Sequence, residues 1–360
     1  MQDENKKQKN ILGQSAVGKL LSWYSGSKRD LPWRHDITPY RTWISEIMLQ
    51  QTRVEAVKPY FARFLQTYPD VSSLADADDE TLLKLWEGLG YYSRARNLKK
   101  AARQIVSEYG GKMPSDPEKL CKLCGIGSYT AGAIASIAFG KRACAVDGNV
   151  LRVLTRLTGY DGDITIPETK KWAERIAFDL CPESNPGEFT QALIELGATV
   201  CVPNGEAKCI ACPLRKECFA FANDMIDRIP VRSQKKPRTI ENRTILVLRD
   251  RERKCFFIRR RSEKGLLAGL YEFPGVDGTL LQNDVITEAR KLGFEPFHAR
   301  QMTPCVHIFT HKEWHMTGWL LDGYVGDDCV LIGANYEEMK ANYAIPSAFS
   351  AFLKQIEEFS

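Results

Sequence analysis

Near residue 225 the chain changes its period, and that change limits it to folds built from two unlike parts. Before it, apolar residues recur at helical spacing. Thr38 before Pro39 and Asp116 before Pro117 stand where helices should begin, and Gly88 and Gly110 where they should close. After it, RTILVLR at 243–249, KCFFIR at 254–259 and MTGWLLDGYV at 316–325 read as strands, while 282–292 and 346–358 read as helices. Between the two parts, IPVRSQKKPRTIEN has two prolines and little apolar content, the composition of a linker. The predicted protein is multidomain, with an all-α region over 1–225, a linker over 226–242 and an α+β domain over 243–360. A length of 360 residues accommodates two or three domains. No internal repeat or low-complexity tract is evident.

Four cysteines crowd the end of the helical part: Cys201, Cys209, Cys212 and Cys218, spaced C-x7-C-x2-C-x5-C with Pro203 and Pro213 among them. Thiolates this close in a loop-rich segment suit a metal or iron-sulfur centre. Two disulfides are the alternative, but they belong to secreted chains, and MQDENKKQKN at the start is no apolar signal region. The total of eleven cysteines is also odd, as expected of reduced thiols. Spacing alone leaves zinc and an iron-sulfur cluster both open. The longest apolar stretches, such as 130–139, are far shorter than the roughly 18 to 20 residues a membrane crossing requires, so a cytoplasmic protein is expected. Net charge is only +5, yet basic residues bunch at Arg228, Arg232, Lys235, Lys236 and Arg238, then at Arg249, Arg251, Arg253, Lys254, Arg259, Arg260 and Arg261. Such runs are either solvated surface or contacts to a polyanion.

Three further stretches carry chemistry. In LCKLCGIGSYTAGAIA at 120–135, Gly125 and Gly127 let the backbone turn between two helices, so that amides near Ser128 can face a phosphate. An ordinary helix-helix turn has the same look. In VDGNVLRVLTRL, Asp147 by itself reads as the N-cap of a helix, a job compatible with turning one oxygen to a site. Glu46 lies among Trp43, Ile44, Ile47 and Met48, surroundings apolar enough to raise a carboxyl pKa.

Hairpin, aspartate and four-cysteine loop, in this order, resemble the endonuclease III (helix-hairpin-helix) superfamily of DNA glycosylases. LPWRHDITPYRTWISEIMLQQTRV at 31–54, GLGYYSRARNL at 88–98, GSYTAGAI at 127–134 and the C-terminal part narrow the resemblance to the MutY-type adenine DNA glycosylases, from about residue 12 onward. The fold this implies is a six-helix barrel module at about 32–140, an iron-sulfur module made of the N-terminal helix and 141–225, and a Nudix-like lesion-recognition domain. The activity implied is release of adenine paired with 8-oxoguanine or guanine in duplex DNA, by a monomer found in the cytoplasm with the nucleoid. A 4Fe-4S cluster on Cys201, Cys209, Cys212 and Cys218 comes with it. By the same resemblance Glu46 protonates the leaving base, Asp147 faces the sugar cation, and Tyr129 and Asn149 orient them. Tyr129 stands where related bifunctional lyases carry a lysine, so base removal without efficient strand nicking is expected. Arg34, Trp33, Leu49 and Gln191 are implied for the adenine pocket. Gln51, Thr52, Tyr91, Gly125, Gly127 and Ser128 are implied for DNA contacts, with Gln51 and Tyr91 entering the helix. Phe309, Thr310 and His311 are implied as readers of 8-oxoguanine.

Three positions depart from the family's pattern: the first cysteine interval is x7 rather than x6, Cys124 takes the place of a proline, and Thr310 that of a serine. VITEARKLGF carries the single acid Glu288 where a Nudix hydrolase has a run of glutamates, too few for a phosphate-bound metal. Three other classes are weighed against this reading. A bifunctional pyrimidine-lesion lyase needs the missing lysine, and a Nudix hydrolase needs the missing acidic helix. A cluster-bearing DNA-binding module without catalysis has no need of Glu46 and Asp147 together.

Overall fold

The computed structural model describes residues 13–203, 205–233, 237–326 and 329–358; the opening decapeptide, Asn204 in the long cysteine interval, and Lys235 and Lys236 of the basic run lie outside them. The chain divides into two compact units, residues 1–77 with 97–234 and residues 78–96 with 235–360. The expected all-α region ran unbroken to residue 225, whereas by its contacts the segment 78–96 belongs with the second unit. Its side chains account for this. Glu80 accepts from Tyr271 Oη at 2.7 Å, Lys84 Nζ donates to Tyr343 O at 2.9 Å, and Glu87 Oε1 accepts from Ile345 N at 2.9 Å. Helical periodicity gives no sign of such partners. The expected linker also ends early, because Thr239 already begins a strand.

In the first unit, α1 (Gln14–Ser27), α2 (Pro39–Leu49), α3 (Val54–Thr67) and α4 (Val71–Ala75) precede α6 (Ser93–Tyr109), which starts just before the boundary at residue 97; α5 (Asp79–Leu85) lies in the second unit. Then come α7 (Pro117–Cys121), α8 (Ser128–Ala133) running on into a π-helical turn at Ile134–Ala138, α9 (Gly148–Thr158), α10 (Pro167–Leu180), α11 (Pro186–Thr199) and α12 (Phe219–Ala222). Helix α2 is specified from its first turn. Pro39 occupies N1, where its missing N–H costs nothing, and Thr38 Oγ1 accepts from Arg41 N at 3.1 Å. From Thr42 to Met48 every residue is buried, so this is an interior helix, and Glu46 is the one acid it carries. Helix α9 has Asp147 as N-cap and closes on Gly159 in the left-handed region, φ 74°. Val150, Val153, Leu154 and Leu157 fix its inner face against α11 and α1 in one apolar core.

The second unit is an eight-stranded mixed sheet, with backbone order β3 (Tyr271–Glu272), β2 (Cys255–Arg260), β1 (Thr239–Asp250), β7 (Lys312–Val325) and β5 (Phe294–Gln301). Strand β4 (Gly275–Asp277) pairs with β1, β6 (Cys305–Ile308) with β7 and β8 (Ile332–Ala334) with β2. The two long central strands β1 and β7 run parallel in register from Thr239↔Lys312 to Arg249↔Asp322, and the other pairs are antiparallel. Alternation along β1 sends Ile245 and Val247 into one core, shared with α14 (Tyr336–Asn342) and α15 (Ser350–Glu357). Leu246 and Leu248 enter another, shared with α13 (Gln282–Lys291).

Candidate active site

One cavity of about 470 Å³ in the first unit collects residues from four parts of the chain. Glu46 and Leu49 come from α2, Trp33 and Arg34 from the 3₁₀ turn before it, and Tyr129 from α8. Asp147 and Asn149 come from the start of α9, and Gln191 from α11. Gln191, Ile194, Glu195 and Ala198 line the cavity together because positions i, i+3, i+4 and i+7 share one helix face. Gln51 and Thr52 also line it.

Glu46 is 7% exposed, and burial raises its carboxyl to about 7. Tyr129 Oη, donating to Glu46 Oε2 at 2.7 Å, and the Arg34 charge both pull the other way, while Asp147 pushes it further up. Asp147 is held as its capping role requires. Its Oδ1 accepts from Asn149 N and Val150 N, each at 2.9 Å, and its Oδ2 accepts from Asn149 Nδ2 at 2.7 Å. Burial nonetheless lifts its pKa above the ordinary value, against those donors. The result is two carboxyl groups on one cavity, one readily protonated near neutrality and one fixed by the amides of a helix N-terminus.

Another part of the lining is ionic. Glu195 is fully buried and accepts from Arg29 Nε at 2.7 Å, Arg29 Nη2 at 2.8 Å and Arg34 Nη2 at 2.9 Å. Burial would raise its pKa, but the two arginines outweigh it and hold the carboxyl down at about 2. Arg34 is thereby fixed with its Nε donating to Gln191 Oε1 at 3.2 Å. Trp33, 8% exposed and edge-on to Phe61 at 5.6 Å, is both a core residue and part of the cavity wall.

Two buried residues of this site escaped sequence reasoning. Glu195 looked like any helix acid, although its place on the Gln191 face was a usable signal. Arg152 ties the region together, donating to Cys201 O at 2.7 Å, Asn149 Oδ1 at 2.9 Å, Gly197 O at 2.8 Å and Gly148 O at 3.3 Å. It joins the first cysteine's backbone to the Asp147–Asn149 pair. A Cβ on Gly197 would come 2.6 Å from Asn149 Cβ, so glycine permits that close approach of α11.

The hairpin turn has Gly125 at φ +75°, where an added Cβ would meet Asn97 Cβ at 2.7 Å. Cys124, in the place of a proline, uses the N–H that proline lacks to bond Gln104 Oε1 at 2.7 Å. Gly127 is the N-cap of α8, and Ser128 Oγ donates to Glu174 Oε1 at 2.9 Å. Gln51 and Tyr91 adopt positive φ, 61° and 47°, a conformation that costs side-chain-bearing residues energy and is concentrated at functional sites.

In the second unit, Phe309, Thr310 and His311 form the turn between β6 and β7, closed by Phe309 N donating to Lys312 O at 2.8 Å. Phe309 packs edge-on to Trp314 at 4.8 Å, Thr310 and His311 are exposed, and Thr310 Oγ1 shares a hydrogen bond with Tyr91 Oη. Of the basic run, Arg249 and Arg251 are spent on buried Asp322, each at 2.6 Å.

Cys201, Cys209, Cys212 and Cys218 line one small cavity with Val153, Leu157, Leu196 and Ile226. All four are free thiols, and Arg156 Nη1 donates to Cys201 Sγ at 3.2 Å. Among the described residues no group of three or more His, Cys, Asp or Glu is drawn together as ligands of a single ion. Nor is any helix among them long and apolar enough to cross a membrane.

Comparison with known proteins agrees with this architecture. Residues 44–182 match the HhH-GPD superfamily base excision DNA repair protein, and residues 244–355 match the NUDIX domain. The chain is 35% identical to the human adenine DNA glycosylase, over 89% of this chain and 69% of that one. It is 36% identical to the adenine DNA glycosylase of Buchnera aphidicola subsp. Baizongia pistaciae, over 83% of this chain and 82% of that one. A solved structure of a thermostable thymine-DNA glycosylase superposes with a TM-score of 0.53 at 30% identity, covering 61% of this chain and 98% of the other. The chain belongs to the adenine DNA glycosylases, base-excision-repair enzymes that pair a helix-hairpin-helix domain with a Nudix-like one.

Proposed function

We propose that this enzyme releases adenine lying opposite 8-oxoguanine or guanine in duplex DNA by hydrolysing its N-glycosidic bond, without efficient strand cleavage. The observation that carries the reading is Glu46, raised to about 7 and bonded by Tyr129 in the cavity it shares with Asp147. A carboxylic acid still protonated near neutral pH can pass its proton to adenine N7 as the bond from the base to C1′ breaks. The carboxylate of Asp147, steered by the amides of Asn149 and Val150, balances the charge that develops on the sugar. Glu46, now ionised, draws a proton from the water that adds to C1′. Tyr129 offers a phenol and no amine, so no Schiff base forms at that position.

The base reaches the cavity by leaving the duplex. Gln51, Thr52 and Tyr91 enter or brace the stack, and Gly125, Gly127 and Ser128 meet a phosphate. Adenine sits against Trp33, Leu49, Arg34 and Gln191. Phe309, Thr310 and His311 read the opposite base, and the short acid supply of α13 fits a reader rather than a hydrolase. Cys201, Cys209, Cys212 and Cys218 would hold a 4Fe-4S cluster; four thiols about one apolar-walled cavity and the Arg156 charge fit such a group. A single zinc would need sulfurs within about 4 Å of one another, given bonds of about 2.3 Å. When bound, the cluster supplies a covalent tie across the loop. A monomer working in the cytoplasm on nucleoid DNA completes the reading.

Single-turnover base release from duplexes carrying adenine opposite 8-oxoguanine, guanine or cytosine tests the substrate. The expected order is 8-oxoguanine, then guanine, then cytosine; equal rates on all three would reject it. His311→Ala in the full chain should lower the 8-oxoguanine advantage, at about 1 to 3 kcal/mol for a lost hydrogen-bond set. Removing the whole domain is a poorer test, because 78–96 would lose its partners.

A further inference from the structure

Seven cysteines lie outside the four-thiol loop, and two of them lie in segments that pack on each other. Cys144 stands in the stretch leading to Asp147, and Cys181 is the C-cap of α10. Their surroundings interlock. Cys144 Sγ lies 3.1 Å from Ala177 O, one helical turn before Cys181, and Cys181 Sγ lies 3.8 Å from Ala143 O, next to Cys144. Arg142 fastens the junction, with Nε donating to Cys181 O at 3.1 Å and its guanidinium 4.6 Å over the Phe178 ring. Cys181 is 3% exposed while Cys144 is half-buried, so a small oxidant has one way in. Each thiol thus faces a backbone carbonyl of the segment that carries the other.

We propose that Cys144 and Cys181 are a reversible oxidation site that closes to a disulfide under hydroperoxide. The thiolate of one attacks the peroxide oxygen, forming an S–O bond as the O–O bond breaks; the departing hydroxide takes up the proton the thiol gave, leaving sulfenic acid and water. The second thiol displaces the sulfenic oxygen as another water. Two thiols lose two electrons and two protons, and hydrogen peroxide becomes two waters. The first step favours Cys181, whose thiol is held below its ordinary range by Cys144 first, with Arg142 adding to the effect.

The cross-link would join residues 37 positions apart (181 − 144) and so restrict the unfolded chain. The test uses the full-length reduced protein treated with stoichiometric hydrogen peroxide, alkylated and mapped as peptides without reduction. A peptide joining Cys144 to Cys181 is expected, together with a rise in Tm of about 5 °C that dithiothreitol reverses. The rise should be absent from Cys144→Ser and from Cys144→Ala, the latter guarding against a folding defect of the former. Recovery of both thiols alkylated, their conversion to separate sulfinic acids, or linkage of either to another cysteine would overturn the proposal, and this mapping needs no variant.

Discussion

Two glutamates line the same cavity and behave in opposite ways. Both are buried, yet Glu46 is lifted to about 7 and Glu195 is held at about 2. Burial pushes both upward, so burial is not what separates them. Glu195 has two guanidiniums within hydrogen-bond reach, whereas Glu46 has one phenol, a more distant Arg34 and the repulsion of Asp147. One part of the cavity lining is therefore fixed charge, and another carries a carboxyl that is protonated up to near neutrality. The contrast implies that exchanging the two walls' partners, rather than their depth, would exchange their roles.

Removing the proton wall should have the largest effect. Glu46→Gln and Asp147→Asn are each expected to lower single-turnover adenine release by about a thousandfold or more, with duplex binding retained. Turnover within tenfold of the parent in either variant would break the assignment. Removing the charge wall should act on stability first. Glu195→Gln leaves Arg29 and Arg34 without their counter-ion and should cost roughly 3 kcal/mol in denaturant unfolding at neutral pH. Because the folded carboxyl is depressed, the stability it lends is present above the ordinary value of 4.5 and fades as pH falls towards 2. The gap between Glu195→Gln and the parent should accordingly narrow in acid, and a constant gap would count against a charged Glu195.

A finer comparison uses pH. With Glu46 as the acid, adenine release should fall about tenfold per unit once pH passes roughly 7. The Tyr129 bond lowers that pKa, so Tyr129→Phe should move the descending limb to higher pH; an unmoved limb would mean that another group is titrating. The smallest effect is expected at Arg152. Arg152→Lys cannot serve four acceptors in one plane, and it should slow base release by about tenfold while leaving the midpoint of that limb in place.

The lettering of the chain was informative wherever a local rule had a local cause. Thr38 and Pro39 announce α2, Asp147 announces α9, and the apolar neighbours of Glu46 already suggest a raised pKa. The shift near residue 225 marks the arrival of the sheet, since periods of 3.6 and 2 reflect backbone geometry alone. The four cysteines stand out by spacing, and they do line one cavity. Local rules could not tell that 78–96 shares its contacts with the second unit, because Glu80, Lys84 and Glu87 look like the solvated face of any helix. Glu195 and Arg152 were unreadable for the same reason. What makes each of them matter is a partner 45 to 166 residues away in the chain, such as Arg29 for Glu195 or Cys201 for Arg152. Sequence thus determined which elements form and which chemistry they carry. Tertiary structure alone decided which charges meet, because hydrogen bonds and Coulomb forces act over a few ångströms of space and are indifferent to separation along the chain.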